Sequence, residues 1–308
     1  MSKTALLFAG QGAQVVGMGK DLAAAFPTAQ TWFDRANTTL GYDLADICFN
    51  GPEAELTKTE NAQPGIFLVS WVAFQLLTER VPALKFEAAA GLSLGEFTAL
   101  TAAGAMNFEE GLRVVRQRGR FMQEACDVTK GGMAAVIGLD EASTREVCVE
   151  AGVVLANLNC PGQFVISGEA DKIAKAVELA KAKGAKRAIP LPVAGAYHSP
   201  LMAGAQPKLQ GELAKLKLSH SVVPVVSNVT AQPHGSPQIS SRLVEQVTSS
   251  VRWEESMRYL LSQGFTRFIE LGPGTALSGF MKRIDKNAQM LNVADVASLE
   301  ATVKALSA

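Results

Sequence analysis

The sequence predicts an α/β protein: a large unit built on a parallel sheet, interrupted by a small, differently patterned insert. Three observations carry this. Short apolar runs alternate with helical stretches at both ends of the chain, the pattern of strands crossed over by helices. Between Gly131 and Pro190 the order becomes β-α-β-β-α-β in a compact run. And Gly91-Leu92-Ser93-Leu94-Gly95 stands between a small-residue strand and a helix, the sign of a sharp strand-to-helix turn.

In chain order, Thr4 to Ala9 is an apolar run that breaks at Gly10-Gln11-Gly12-Ala13-Gln14 and reads as a strand feeding a loop. Helical patterns follow over 18–25 and 29–40. Pro64 is expected to open an apolar helix over 65–78, since proline suits a first helical turn. A small-residue strand is expected at 87–91, then helices at 96–103 and 108–126, the second carrying Arg113, Arg116, Arg118 and Arg120. The insert reads as strand 133–137, helix 141–150, strands 153–157 and 163–167, helix 171–183 and strand 186–190. This is the split βαβ, ferredoxin-like arrangement. Pro190, Pro192, Gly195 and Pro200 mark the exit from it. The remainder reads as helix 202–216, strand 222–226, helices 240–247 and 253–263, strand 265–271 broken at Gly272-Pro273-Gly274, and helix 276–284. With the serine turn, the flanks suit an α/β-hydrolase-like domain over 1–128 and 198–308, and the ferredoxin-like subdomain falls at 129–197.

Composition narrows the function classes. The 308 residues are 48% hydrophobic and 19% charged, the profile of a packed globule, and Lys+Arg and Asp+Glu both number 29. That balance points to neither nucleic acid nor a membrane surface. The longest apolar stretch, Gly65 to Thr78, is too short to span a bilayer, and the N-terminal apolar run is too short for a signal-peptide core. Cys48, Cys126, Cys148 and Cys160 are widely spaced with no metal-binding pattern. They read as reduced, buried thiols of a cytoplasmic protein, and no metal is expected.

The chemistry centres on Ser93. In a Gly-x-Ser-x-Gly turn the hydroxyl is exposed at a helix N-terminus, where main-chain N–H groups can stabilise an oxyanion. A serine nucleophile needs a base, and the chain has three histidines. His220 precedes a strand and reads as capping or solvating an edge. His234, in Gln232-Pro233-His234-Gly235, reads as part of a surface turn. His198 lies on the loop returning from the insert, where a cleft is expected, and is the favoured base. No downstream acid stands out as a third triad member. Taken alone, Gly10-Gln11-Gly12 reads as a plain strand-to-helix turn, and the four arginines cannot be told apart.

Several motifs now coincide in order: Phe8-Ala9-Gly10-Gln11-Gly12-Ala13-Gln14; Gly91 to Glu96; Gln117-Arg118-Gly119-Arg120-Phe121-Met122-Gln123; Asn157-Leu158-Asn159-Cys160-Pro161-Gly162-Gln163; Ala194-Gly195-Ala196-Tyr197-His198-Ser199; and Glu270-Leu271-Gly272-Pro273-Gly274 with Lys282-Arg283. Together they resemble the malonyl-CoA:acyl-carrier-protein transacylases of type II fatty-acid synthesis over essentially the whole chain. The resemblance implies that Ser93 takes malonyl from malonyl-CoA as an ester and passes it to the phosphopantetheine thiol of acyl carrier protein. His198 matches the family's catalytic histidine, oriented by a main-chain carbonyl near a glutamine, for which Gln246 is the matching position. Gln11 matches an oxyanion-hole residue, and the N–H of Leu94 supplies the second donor. Arg118 matches the arginine that binds the malonyl carboxylate. No cofactor is implied, because the coenzyme A thioester is a substrate.

Two positions depart from the family. Leu92 stands where many members carry histidine, and Tyr197 where phenylalanine or serine is usual, so acyl-group size is left open. A serine thioesterase or esterase, a polyketide extender-unit acyltransferase and a non-catalytic docking module are the competing readings. Arg118 and the missing acid weigh against a hydrolase, and intact Ser93, His198 and Arg118 against a mere docking module. Lys181, Lys183, Lys186, Arg187, Lys282 and Arg283 are candidates to meet an acidic carrier protein, or simply solvated surface.

Overall fold

A computed structural model describes residues 3–307. Nine strands occur among them: β1 (Lys3–Phe8), β2 (Ala88–Gly91), β3 (Gly131–Ile137), β4 (Val154–Cys160), β5 (Gln163–Glu169), β6 (Arg187–Pro190), β7 (Val225–Val226), β8 (Phe265–Leu271) and β9 (Gln289–Val293). They form two sheets, ordered β7-β2-β1-β8-β9 and β4-β5-β3-β6.

Every pairing in the first sheet is parallel. β1 lies at its centre, and Ala5 to Phe8 are fully buried because helices cover both faces. The helix Thr59–Arg80 is apolar nearly all round and lies inside the core against the helix Phe108–Val128. The second sheet is antiparallel throughout. Its helices, Glu141–Ala151 and Ala170–Ala182, pack on it to make a separate core that includes Val136, Leu155, Phe164, Ile166 and Val177. The β-α-β-β-α-β order expected of the insert is therefore present over 131–190. The insert is tied back by its strand edge: Val251 N–H donates to Ala156 O at 2.8 Å, and Leu158 N–H to Val251 O at 3.0 Å.

Some expectations change. Pro64 does not open its helix but lies inside it, because the helix begins at Thr59. Bonds from Asn61 and Ala62 N–H to Lys58 O start the helix one turn earlier, so only the N–H that proline lacks is lost. The strand expected over 222–226 shrinks to Val225–Val226, since Pro224 has no N–H for the ladder. The helices Leu44–Asn50, Glu53–Leu56 and Val296–Ser307 and the edge strand β9 carried too little periodicity to be expected at all. All four cysteines are free and buried, as expected. No helix among the described residues is long and apolar enough to cross a membrane.

The parallel sheet and the helix after β2 meet at the serine turn with no spare volume. A Cβ on Gly91 would lie 1.9 Å from the Gly95 main chain, and one on Gly95 would lie 2.3 Å from Phe8 O. Backbone on both sides cannot yield, so Gly91→Ala is expected to cost about 3 kcal/mol. Gly211, on the exposed face of the helix Ala205–Leu213, meets nothing within 4 Å, and Gly211→Ala is expected to gain about 0.5–1 kcal/mol. Urea unfolding of the two variants checks the contrast; similar effects at both sites would contradict it.

Candidate active site

Ser93 follows β2 and takes the N-cap position of the helix Leu94–Ala102 with φ 54° and ψ −106°. A positive φ is unusual for serine and is held here by its surroundings. The Asn228 carboxamide clamps the turn: Ser93 N–H donates to its Oδ1 at 2.7 Å, and its Nδ2 donates to Gly91 O at 2.8 Å. From the other side Gln246 Nε2 donates to Ser93 O at 3.0 Å. The main-chain N–H groups of Gln11 and Leu94 donate to nothing among the described residues.

His198 arrives on the loop after β6, itself at φ 56°. Its Nε2 lies 2.8 Å from Ser93 Oγ and its Nδ1 2.9 Å from Gln246 O. A carbonyl can only accept, so Nδ1 carries the proton. Nε2 is then a bare lone pair facing the serine hydroxyl, which is the tautomer a general base requires. No carboxylate takes part. Burial, and then the nearby Arg118 charge, push the imidazole down to about 4. The base is therefore neutral at physiological pH.

The structure separates the four arginines that the sequence left equivalent. Arg113 and Arg120 are exposed, and Arg116 stacks on Tyr42. Arg118 is 1% exposed and enters the site. Its Nη1 donates to Gln63 Oε1 at 2.7 Å; its Nη2 lies 3.0 Å from both Ser93 Oγ and Gln246 Oε1. Burial lowers the guanidinium to about 10, with Glu96 opposing, so it stays charged at neutral pH. No carboxylate pairs with it among the described residues. A buried cation left unpaired is costly unless a ligand brings the opposite charge.

Four site residues escaped the sequence reading. Gln63 sits within the apolar helix Thr59–Arg80, bonding Arg118 and, through Nε2, Gln11 Oε1 at 3.2 Å. Asn228 follows β7 with no motif to mark it. Glu96 and His234 form a fully buried pair, Nε2 to Oε1 at 2.6 Å. The surface turn expected for His234 is thus corrected: the turn folds back on β7 through His234 N–H to Val225 O at 2.9 Å and carries the imidazole inward. His220 does remain at an exposed edge, bonded to Ser236 Oγ. The acidic residue directly after the Gly-x-Ser-x-Gly run was the one available signal of this network.

Residues 5–303 match the acyl transferase domain family. The chain is 44% identical over 312 residues to the Bacillus subtilis (strain 168) protein named malonyl CoA-acyl carrier protein transacylase, covering 99% of this chain and 98% of that one. The chain belongs to the acyl transferase family. The fold of the malonyl CoA-acyl carrier protein transacylase from Coxiella burnetii superposes with a TM-score of 0.96 at 36% identity, covering 100% of this chain and 98% of that one. A malonyl-transacylase solved in complex with a type II PKS acyl-carrier protein superposes at 0.95 and 38% identity, covering 99% of this chain and all of its own.

In this acyl transferase the two departing positions have packing roles. The Leu92 side chain joins the apolar cluster beneath the sheet with Trp253 and Phe268. The buried Tyr197 hydroxyl meets Thr59 Oγ1 at 2.5 Å. No group of His, Cys, Asp and Glu among the described residues could hold a metal ion.

The depressed His198 fixes a pH dependence. The protonated imidazole is inactive as a base, so a lowered value extends reactivity towards acid. The rate at which Ser93 reacts with a fluorophosphonate is expected to fall to half near pH 4, not near the ordinary histidine value of 6.5. Arg118→Ala removes one depressing charge and is expected to move that midpoint upward; a midpoint that stays put would show that burial acts alone.

Proposed function

We propose that this acyl transferase moves malonyl from malonyl-CoA to the phosphopantetheine thiol of acyl carrier protein through an ester on Ser93. Ser93 Oγ gives its proton to His198 Nε2 and attacks the thioester carbonyl. The N–H groups of Gln11 and Leu94 receive the oxyanion. Collapse breaks the C–S bond, and the proton on Nε2 passes to the leaving sulfur. The carrier thiol then repeats the sequence in reverse: its proton goes to Nε2, its sulfur attacks the ester, and Oγ leaves with that proton. Gln246 O holds the imidazole through both halves. No cofactor is needed.

One observation carries the acyl specificity: the fully buried Arg118 guanidinium beside Ser93 Oγ, with no carboxylate against it. A malonyl carboxylate supplies the missing charge in two parallel hydrogen bonds. A hydrolase of neutral esters has no use for such a group. The supporting fold is an α/β-hydrolase-like catalytic domain over 1–128 and 198–308 with a ferredoxin-like subdomain over 129–197, and the enzyme is cytoplasmic, supplying malonyl-carrier protein for fatty-acid elongation.

Intact-mass measurement tests the reaction. Malonyl-CoA is expected to add one malonyl group, Ser93→Ala none, and acetyl-CoA little. Arg118→Ala is expected to cost malonyl labelling at least ~10²-fold, since charged hydrogen bonds contribute about 1.5–3 kcal/mol each. Equal labelling by acetyl-CoA, or rapid release of free malonate without carrier protein, would sink the proposal.

The carrier protein meets the charges that internal pairing leaves over. Lys181 and Lys183 are paired with Glu178 and Glu146, and Arg283 holds Gln163 and Pro161 O. Lys186, Arg187 and Lys282 are exposed and carry no ion pair among the described residues. Reversing them together to glutamate is expected to raise KM for carrier protein several-fold and leave Ser93 labelling by malonyl-CoA unchanged. A matching loss of labelling would place these charges elsewhere in the reaction.

A further inference from the structure

Behind the serine turn lies a carboxylate that the reaction as proposed does not use. Glu96 is fully buried, and both contacts of its Oε2 lead to residues that hold Ser93 or His198. Its Oε2 accepts from Asn228 N–H at 2.9 Å and from Gln246 Nε2 at 2.7 Å. Its Oε1 faces His234 Nε2 at 2.6 Å. Opposite a carboxylate oxygen, the imidazole nitrogen is the donor.

We propose that Glu96 and His234 are positioning residues for the acyl transfer: His234 pins the Glu96 carboxylate, which in turn sets Asn228 and Gln246 and, through them, both the nucleophile and its base. The chain of contacts is short. Asn228 accepts the Ser93 N–H, and Gln246 holds Ser93 O with its side chain and His198 Nδ1 with its main-chain carbonyl. Gln246 also accepts from Arg118 with Oε1, so the carboxylate and the guanidinium polarise one carboxamide from its two ends. In a serine-histidine-acid triad a carboxylate touches the histidine directly. Here it stands one residue behind, and its placement depends on a second histidine.

The physical reason for His234 is satisfaction of a buried anion. Without it Oε1 loses its one hydrogen bond, and a buried carboxylate short of donors moves towards those it has left. Those are Asn228 and Gln246. Any shift of either changes the distance between Ser93 Oγ and His198 Nε2, now 2.8 Å. The turn is built to deliver this imidazole: Ser227 N–H to Gln232 O and Ala231 N–H to Ser227 O close it at 2.9 Å each, and Ala231 adopts φ 54°.

This inference rests on Ser93 acting as an acyl carrier, so the experiment separates the two. Ser93 modification is followed by rapid-quench intact mass in the wild type, His234→Ala, His234→Gln and Glu96→Gln, with malonyl-CoA and, separately, with a fluorophosphonate. Rates are taken per site that labels at completion, so misfolded molecules drop out. Wild-type malonylation judges the function; the ratio of variant to wild type, with either reagent, judges the positioning. His234→Ala is expected to slow labelling at saturation about tenfold, with little change in the half-saturating malonyl-CoA concentration. His234→Gln is expected to restore most of the rate, because its amide N–H reaches Glu96 Oε1. Glu96→Gln keeps one acceptor and should fall between wild type and His234→Ala. Wild-type rates in His234→Ala, a loss seen only in half-saturation, or no rescue by glutamine would each overturn the proposal.

Discussion

The hydrogen bond from His198 Nδ1 to the main-chain carbonyl of Gln246 organises the site. It decides where the imidazole proton sits and therefore which nitrogen is free to take a proton from Ser93. A carboxylate in that position would stabilise an imidazolium and hold the base more strongly charged. A carbonyl orients the ring without adding a full negative charge. Burial and the neighbouring guanidinium then keep the histidine neutral between proton transfers, against the weaker pull of the carbonyl towards the charged form. That suits the proposed reaction, whose two halves mirror each other, with the same nitrogen taking and returning one proton twice.

The carbonyl is only as well placed as the residue that bears it, and Gln246 is held from several directions at once. Its side chain spans Arg118, Glu96 and Ser93 O, while Asn228 secures the N–H side of the same serine. Two buried charges of opposite sign thus face one another across an amide instead of pairing. Had they paired directly, the guanidinium would be neutralised and would have no reason to bind the malonyl carboxylate proposed for it. Separation by a polarisable amide keeps Arg118 available while moderating the cost of its burial.

Local pattern made much of this readable. The Gly-x-Ser-x-Gly run required a close approach, and both glycines proved to have backbone where a Cβ would stand. The β-α-β-β-α-β order followed from period and punctuation alone. Family motifs singled out Arg118 among four arginines on one helix, and Gln246 in a segment with little else to mark it. Gln63 and Asn228 were not readable, because a single polar residue in an apolar helix or after a two-residue strand has the same local signature as any partly solvated side chain. His234 misled for a related reason: Pro233-His234-Gly235 has the composition of an exposed turn, and only its contact with β7 turns it inward.

What the sequence determined by itself was chemistry that resides in covalent structure and short-range sterics: a serine on a tight turn, few histidines to serve it, no acid in triad order, and an insert with its own periodicity. What the tertiary structure decided was charge state and tautomer. Those depend on burial and on partners more than 100 residues away, such as Ser93 and His198 or Gln246 and Glu96, whose sequence separations are 105 and 150. Dielectric environment and hydrogen-bond direction are properties of the packed molecule, and no local run of residues encodes them.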